Sequence, residues 1–229
     1  MTPEEMEEVR PRLEAFAAEM LGPLARRDQR AKGELYLRGL MLDGKRKSMQ
    51  PMAERLGVDH QQLQQFVSSS TWDYSMVRER LARWAAAHIS PEAYAIDDVD
   101  FPKDGYDSPG VARMYCGALG KRGNCQIGVS VNMVSDRASS AVEWPPDSAE
   151  PTDYWLSTLP TDSPLYDLVR IAKIRWRVEY DYRELKDGLG LDHFEGRNYA
   201  GWHRHATLAS LAQAFCTLLR TDPKAPAPA

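Results

Sequence analysis

Across residues 4–88 apolar side chains recur every third or fourth position and β-branched residues are few, a period that predicts a string of helices. Leu13, Phe16, Ala17 and Met20 form one stripe, and Leu35, Leu37, Leu40 and Leu42 another, with Gly22 and Pro23 as a breaker between them. Within 47–68 the signals are denser. Ser48 is placed to cap a short helix that Gly57 ends, and Asp59 to cap a second helix carrying Leu63 and Phe66 inward. Two short helices joined this tightly outline a helix-turn-helix, in which the second helix is the one that enters a major groove. Two helices that merely pack against a third would leave the same outline.

From Tyr94 the period shortens to two. Residues 93–96 read as a short strand ending in Asp97 and Asp98, and 111–116 and 125–134 as two further strands joined by a turn at 120–124. After Ser135 the pattern lapses into a loop or junction that contains Ser139, Ser140, Pro145 and Pro146, and 154–159 is a candidate for one more strand. Pro164 opens a long amphipathic helix to about Gly188, with Leu165, Leu168, Ile171, Ala172 and Trp176 on its apolar side. A last helix over 202–219 precedes a Pro/Ala tail expected to be disordered. The expected organisation is a helical region over 1–88, a mixed helix-and-strand region over 89–220 and a tail over 221–229.

Composition narrows the class. The 229 residues are 43% hydrophobic and 27% charged, which suits a soluble globular chain of one or two domains. Glu4, Glu5, Glu7 and Glu8 at the N-terminus do not fit a signal peptide, and no apolar run approaches the roughly 20 residues of a membrane span, so a cytoplasmic protein is expected. Cys116, Cys125 and Cys216 lack the even count or close spacing of a disulfide or zinc framework and read as reduced thiols. A net charge of -4 argues against nucleic acid, yet 26–47 holds Arg26, Arg27, Arg30, Lys32, Arg38, Lys45, Arg46 and Lys47 against Asp28, Glu34 and Asp43. A local basic face is available. Lys45, Arg46 and Lys47 would meet phosphate there, and Gln61, Gln62, Gln64 and Gln65 base edges.

Two groups of residues are candidates for chemistry. Asp97, Asp98 and Asp100 cluster at the expected strand end, where a carboxylate can hold a divalent ion with little backbone freedom; Asp98 and Asp100 share one face and Asp97 takes the other. A solvated turn would look alike. On the long helix Arg175, Glu179 and Lys186 fall on one face at i, i+4 and i+11, suited to a metal-bound phosphodiester held by flanking cations, or to plain ion pairing on an exposed helix. His193, His203 and His205 read as structural.

The stretches 96–103, 110–126 and 150–160, and the run from Glu179 to 196, resemble the DDE transposases of bacterial insertion sequences. That resemblance implies a ribonuclease-H-like fold in which two aspartates and a glutamate hold two Mg²⁺ ions for cleavage and joining of double-stranded DNA at transposon ends. It places the first aspartate at Asp98, with Asp97 as the less favoured neighbour, and the glutamate at Glu179. Arg175, Glu179 and Lys186 match a signature of Tyr, Arg, Glu and Lys whose tyrosine position is Ala172 here. No counterpart of the middle aspartate stands between Ser135 and Glu150, which points to an internal deletion near Ser140; Asp136 and Asp147 do not sit where a substitute would be needed. Two carboxylates would hold a pair of ions roughly 3.5–4 Å apart poorly. The expectation is an α+β protein with a helical DNA-binding region and a truncated ribonuclease-H-like domain, binding DNA without cutting it. It would act as a homo-oligomer or in mixed oligomers with an intact transposase. An active Mg²⁺-dependent nuclease with another third acid, and a repurposed DNA-binding regulator, are the rival expectations.

Overall fold

A computed structural model of the chain describes residues 1–134 and 162–221. Asp136, Asp147, the junction expected near Ser140, the strand expected at 154–159 and residues 222–229 lie outside the described residues. Five helices come first: α1 (Pro3–Met20), α2 (Arg27–Met41), α3 (Met49–Leu56), α4 (His60–Ser68) and α5 (Tyr74–Ile89). Three strands follow, β1 (Ala93–Pro102), β2 (Ala112–Cys116) and β3 (Lys121–Val134), then helices α6 (Leu165–Arg183) and α7 (Tyr199–Thr221). The protein is α+β: a helical N-terminal region leads into an antiparallel sheet with strand order β1-β3-β2, consistent with a ribonuclease-H-like domain.

Local chemistry starts the helices. At α1 the Thr2 hydroxyl accepts from the Glu5 amide at 3.2 Å while the Glu5 carboxylate accepts from the Thr2 amide at 2.7 Å, a reciprocal capping box. The stripe Leu13, Phe16, Ala17 and Met20 is buried as its spacing predicts. It meets Tyr36, Leu37 and Leu40 of α2, Leu63 and Phe66 of α4, and Leu208, Leu211 and Phe215 of α7 in one continuous core. Phe16 touches both Trp84 of α5 and Phe215, with ring centroids 5.2 and 5.5 Å apart. Each such fully buried side chain contributes about 1.5–3 kcal/mol relative to exposure. The helix farthest along the chain thus closes the core of the first five.

Three details differ from the sequence expectations. β1 does not stop at Asp97 and Asp98 but continues to Pro102, pairing antiparallel with β3 from Ala93↔Val134 to Pro102↔Cys125. Asp98 is tolerated because every second residue of β1 faces outward: Tyr94, Ile96 and Asp98 are exposed while Val99 and Phe101 are buried. β3 begins at Lys121, inside the expected turn at 120–124, since the reversal is made earlier by a 3₁₀ turn at Gly117–Leu119 with Gly120 in the left-handed region at φ 63°. Trp176 is not on the apolar side of α6 but 59% exposed, stacked on exposed Tyr180; Val178 and Tyr182 make the contact with the sheet instead.

Candidate functional site

α3 and α4, joined through Gly57, Val58 and Asp59, lie where the helix-turn-helix is expected. Gly57 ends α3 at φ 66°, and the Asp59 carboxylate caps α4 by accepting from the Gln61 amide at 2.9 Å. Leu63, Phe66 and Val67 turn α4 inward, which leaves Gln61, Gln64 and Gln65 exposed and Gln62 half-buried. Arg204 of α7 fixes the far end of α4 from beneath. Buried beside Trp72, its guanidinium donates to the carbonyls of Trp72 at 3.2 Å and Val67 at 3.1 Å. Lys45 and Arg46 are exposed in the segment ahead of α3.

Lys47 departs from the basic face expected of it. Its side chain is 3% exposed, and its ammonium donates to the Leu42 carbonyl. Burial pushes its pKa down to about 8. Its amide donates to His193 Nδ1 at 2.9 Å, and Gly190 lies so close that a Cβ there would sit 2.4 Å from the Lys47 Cβ. Next to it the buried His205 bridges Tyr36 Oη, 2.8 Å from Nδ1, and the Gly190 carbonyl, 2.9 Å from Nε2. A carbonyl can only accept, so Nε2 carries the proton and Nδ1 accepts from the Tyr36 hydroxyl. Burial depresses the His205 pKa to about 4 and raises that of Tyr36. His203 is also committed to packing: it stacks on Tyr74 and lies 3.0 Å from Arg78 Nη2. The turn before α3 is therefore anchored to the chain just ahead of α7.

The acids of β1 are divided by the pleat. α6 packs on the face of β1 that carries Ala95, Asp97, Val99 and Phe101: Val178 meets Ala95, and the Tyr182 hydroxyl reaches Ser130 Oγ and the Asp97 carbonyl. Asp98 projects from the opposite face, exposed, beside the exposed Val129. Glu179 is exposed on α6, and Asp97 lies on the face of β1 that α6 covers. The side chain of Arg175 lies outside the described residues. Lys186 lies within a π-helical turn, Glu184–Gly188, and donates to the Asp100 carbonyl at 2.9 Å with its ammonium 5.2 Å from the Phe101 ring centre. Its visible work is to tie the end of α6 to β1.

Sequence reading missed one cluster. Asp100, Cys116 and Cys125 come together on the Asp98 face, each offering a ligand atom within 4.8 Å of the others. The only signal was the pairing itself: Cys125 stands opposite both Pro102 and Ala112, and Asp100 and Cys116 sit at the matching parity of their strands. Burial, then the neighbouring Cys116, raises the Cys125 pKa to about 11.

A profile of the DDE superfamily endonuclease family matches residues 19–153. The match covers more than half of the 229 residues, and the chain belongs to that family. No curated protein and no solved structure matches it. The matched span holds α3, α4 and the three described strands with Asp97, Asp98 and Asp100, while Arg175, Glu179 and Lys186 lie beyond it. Nucleases of this superfamily act on DNA and generally use divalent metal. Among the described residues no group of three candidate metal ligands includes Asp98 or Glu179. No described helix is long and apolar enough to cross a membrane.

Proposed function

We propose that the protein is a transposase-related DNA-binding protein of an insertion sequence, which recognises transposon ends through α4 and does not cut them. The observation that carries this reading is the helix-turn-helix whose outward face is made of Gln61, Gln64 and Gln65 and whose approach segment exposes Lys45 and Arg46. Glutamine can bond an adenine edge in the major groove with both a donor and an acceptor, and basic residues outside the helix set register on phosphate. Loss of cutting is supported by the missing middle aspartate, which an internal deletion near Ser140 would explain. Such a protein would occupy the ends used by an intact relative, as a homo-oligomer or in a mixed oligomer with it.

A titration of the purified protein on terminal inverted-repeat DNA, at several salt concentrations with Mg²⁺ present, tests both halves. The expected result is sequence-specific, salt-sensitive binding with the DNA left intact. Equal affinity for scrambled DNA refutes end recognition. Family membership favours a second reading, an active nuclease; Mg²⁺-dependent nicking that Glu179→Ala abolishes would put it in place of the first.

A further inference from the structure

The cluster of Asp100, Cys116 and Cys125 is built like a ligand set rather than a chance meeting. The Asp100 carboxylate is held from behind: its Oδ2 accepts from the amides of Gly117 and Ala118, the latter at 3.3 Å, at the start of the 3₁₀ turn. Gly117 permits this approach, because a Cβ there would stand 3.0 Å from Asp100 Oδ2. The other oxygen, Oδ1, is left facing the thiols, 3.8 Å from Cys125 Sγ. Both cysteines are fully buried and unoxidised. In a tetrahedral site with metal–sulfur bonds of about 2.3 Å and metal–oxygen bonds of about 2.1 Å, ligand atoms stand roughly 3.5–3.8 Å apart. The three atoms, within 4.8 Å of one another, need to close by about an ångström at most to reach that spacing.

We propose that Asp100, Cys116 and Cys125 bind a thiophilic divalent cation of the Zn²⁺ class, which clips the β2–β3 hairpin to β1. Two sulfurs and one oxygen select a soft or borderline ion and reject Mg²⁺, so this site is separate from any nuclease metal and independent of the DNA-binding reading. On binding, both thiols lose their protons to solvent and three metal–ligand bonds form. The fourth position is left for water or an outside ligand. The amide donors on Oδ2 orient the carboxylate, as second-layer hydrogen bonds orient metal ligands generally.

Co²⁺, which takes zinc sites and reports on them by colour, is the probe. The reduced full-length protein, titrated with Co²⁺ alone, is expected to bind one equivalent with thiolate-to-cobalt charge-transfer absorption and the visible bands of a tetrahedral ion. Zn²⁺ should bleach that spectrum and raise the melting temperature. Cys216→Ser should leave the spectrum unchanged, Cys125→Ser should remove the charge transfer, and Asp100→Asn, which keeps an acceptor for the two amides, should weaken Co²⁺ at least 10-fold. If a serine variant fails to fold, the unaltered protein decides through protection, since Zn²⁺ should slow alkylation of Cys116 and Cys125 at least 10-fold but not that of Cys216. A folded, reduced protein that takes up no Co²⁺, or binds it without charge transfer, overturns the proposal. So does a Cys116–Cys125 disulfide in protein prepared without reductant if the reduced form then ignores the metal.

Discussion

Gly190 and Gly57 offer a matched pair of perturbations. Both have φ at 66°, so alanine at either must take a left-handed conformation that costs roughly 1–2 kcal/mol. Their surroundings differ completely. Nothing lies within 4 Å of a Cβ built at Gly57, whereas at Gly190 it would meet Lys47 Cβ at 2.4 Å, Lys47 Cγ at 2.7 Å and His193 Nδ1 at 2.9 Å. Lys47 is buried and anchored at its amide and its ammonium, so it cannot swing away without losing hydrogen bonds. Overpacking of this kind adds about 1–3 kcal/mol and a broken hydrogen bond about 1 kcal/mol more. Gly190→Ala should therefore be less stable than Gly57→Ala by about 2–4 kcal/mol. For a chain of this size each kcal/mol moves the melting temperature by about 2–4 °C, so Gly190→Ala should melt roughly 4–16 °C below Gly57→Ala. Thermal unfolding followed by far-ultraviolet circular dichroism, with both variants at one concentration and pH, makes the comparison. Equal melting temperatures would show that the Lys47–Gly190 contact is not closely packed in solution, and the anchoring of the turn ahead of α3 would have to be abandoned.

Other consequences are as direct. His205 has a folded pKa of about 4 against 6.5 for a free imidazole, so its contribution to stability is complete above pH 6.5 and is lost as pH falls towards 4; the cost at pH 5 is about 2 kcal/mol. Urea midpoints at pH 7 and pH 5 should show that drop, and a His205→Gln variant that loses stability just as steeply would refute the assignment. On specific DNA, Arg46→Ala should reduce the slope of log affinity against log salt by about 0.9, while Gln61→Ala or Gln65→Ala should cost about 1–3 kcal/mol on the cognate sequence and little on scrambled DNA. Lys47→Ala should lower the melting temperature and leave the salt slope alone, because its ammonium is spent on the Leu42 carbonyl. Should cutting be detected, Asp97→Ala is expected to abolish it and Asp98→Ala to spare it, since only Asp97 lies on the α6 side; loss with Asp98→Ala alone would refute that ordering.

Features fixed by neighbouring residues were legible in the chain. Gly57 and Asp59 marked the ends of α3 and α4 because capping and left-handed termination act over three or four residues, and the stripe of α1 followed from helical period alone; Ser48 stands at the start of α3, but its side chain makes no capping hydrogen bond. Features fixed by distant partners were not. Asp97 and Asp98 suggested a strand end, but β1 runs on because β3 supplies hydrogen bonds to Pro102 and the outward face admits a charge. Trp176 was assigned inward from the apolar residues before it on α6, yet contact with the sheet is set by Val178 and Tyr182. Lys47 looked like its exposed neighbours Lys45 and Arg46; only the folded chain brings the Leu42 carbonyl and His193 to it. The Asp100–Cys116–Cys125 cluster depends on a strand register that no local pattern encodes.

The placement of α7 bears on how the proposed loss of cutting could leave the proposed DNA-binding part intact. α4 is a nine-residue helix, too short to persist alone in water, where helices under about 12–15 residues are marginal. Its stability comes from Leu63, Phe66 and Val67 in a core that Leu208, Leu211 and Phe215 of α7 complete, and from Arg204 holding the carbonyls at its end. Among the described residues the sheet contributes only Val99 and Phe101 to that core. A lesion between β3 and α6 therefore leaves the supports of α4 in place, provided the chain still returns to deliver α7. Loss of the chain from Tyr199 onward would do the opposite: it would spare every residue proposed to touch DNA and still remove the packing that orients them.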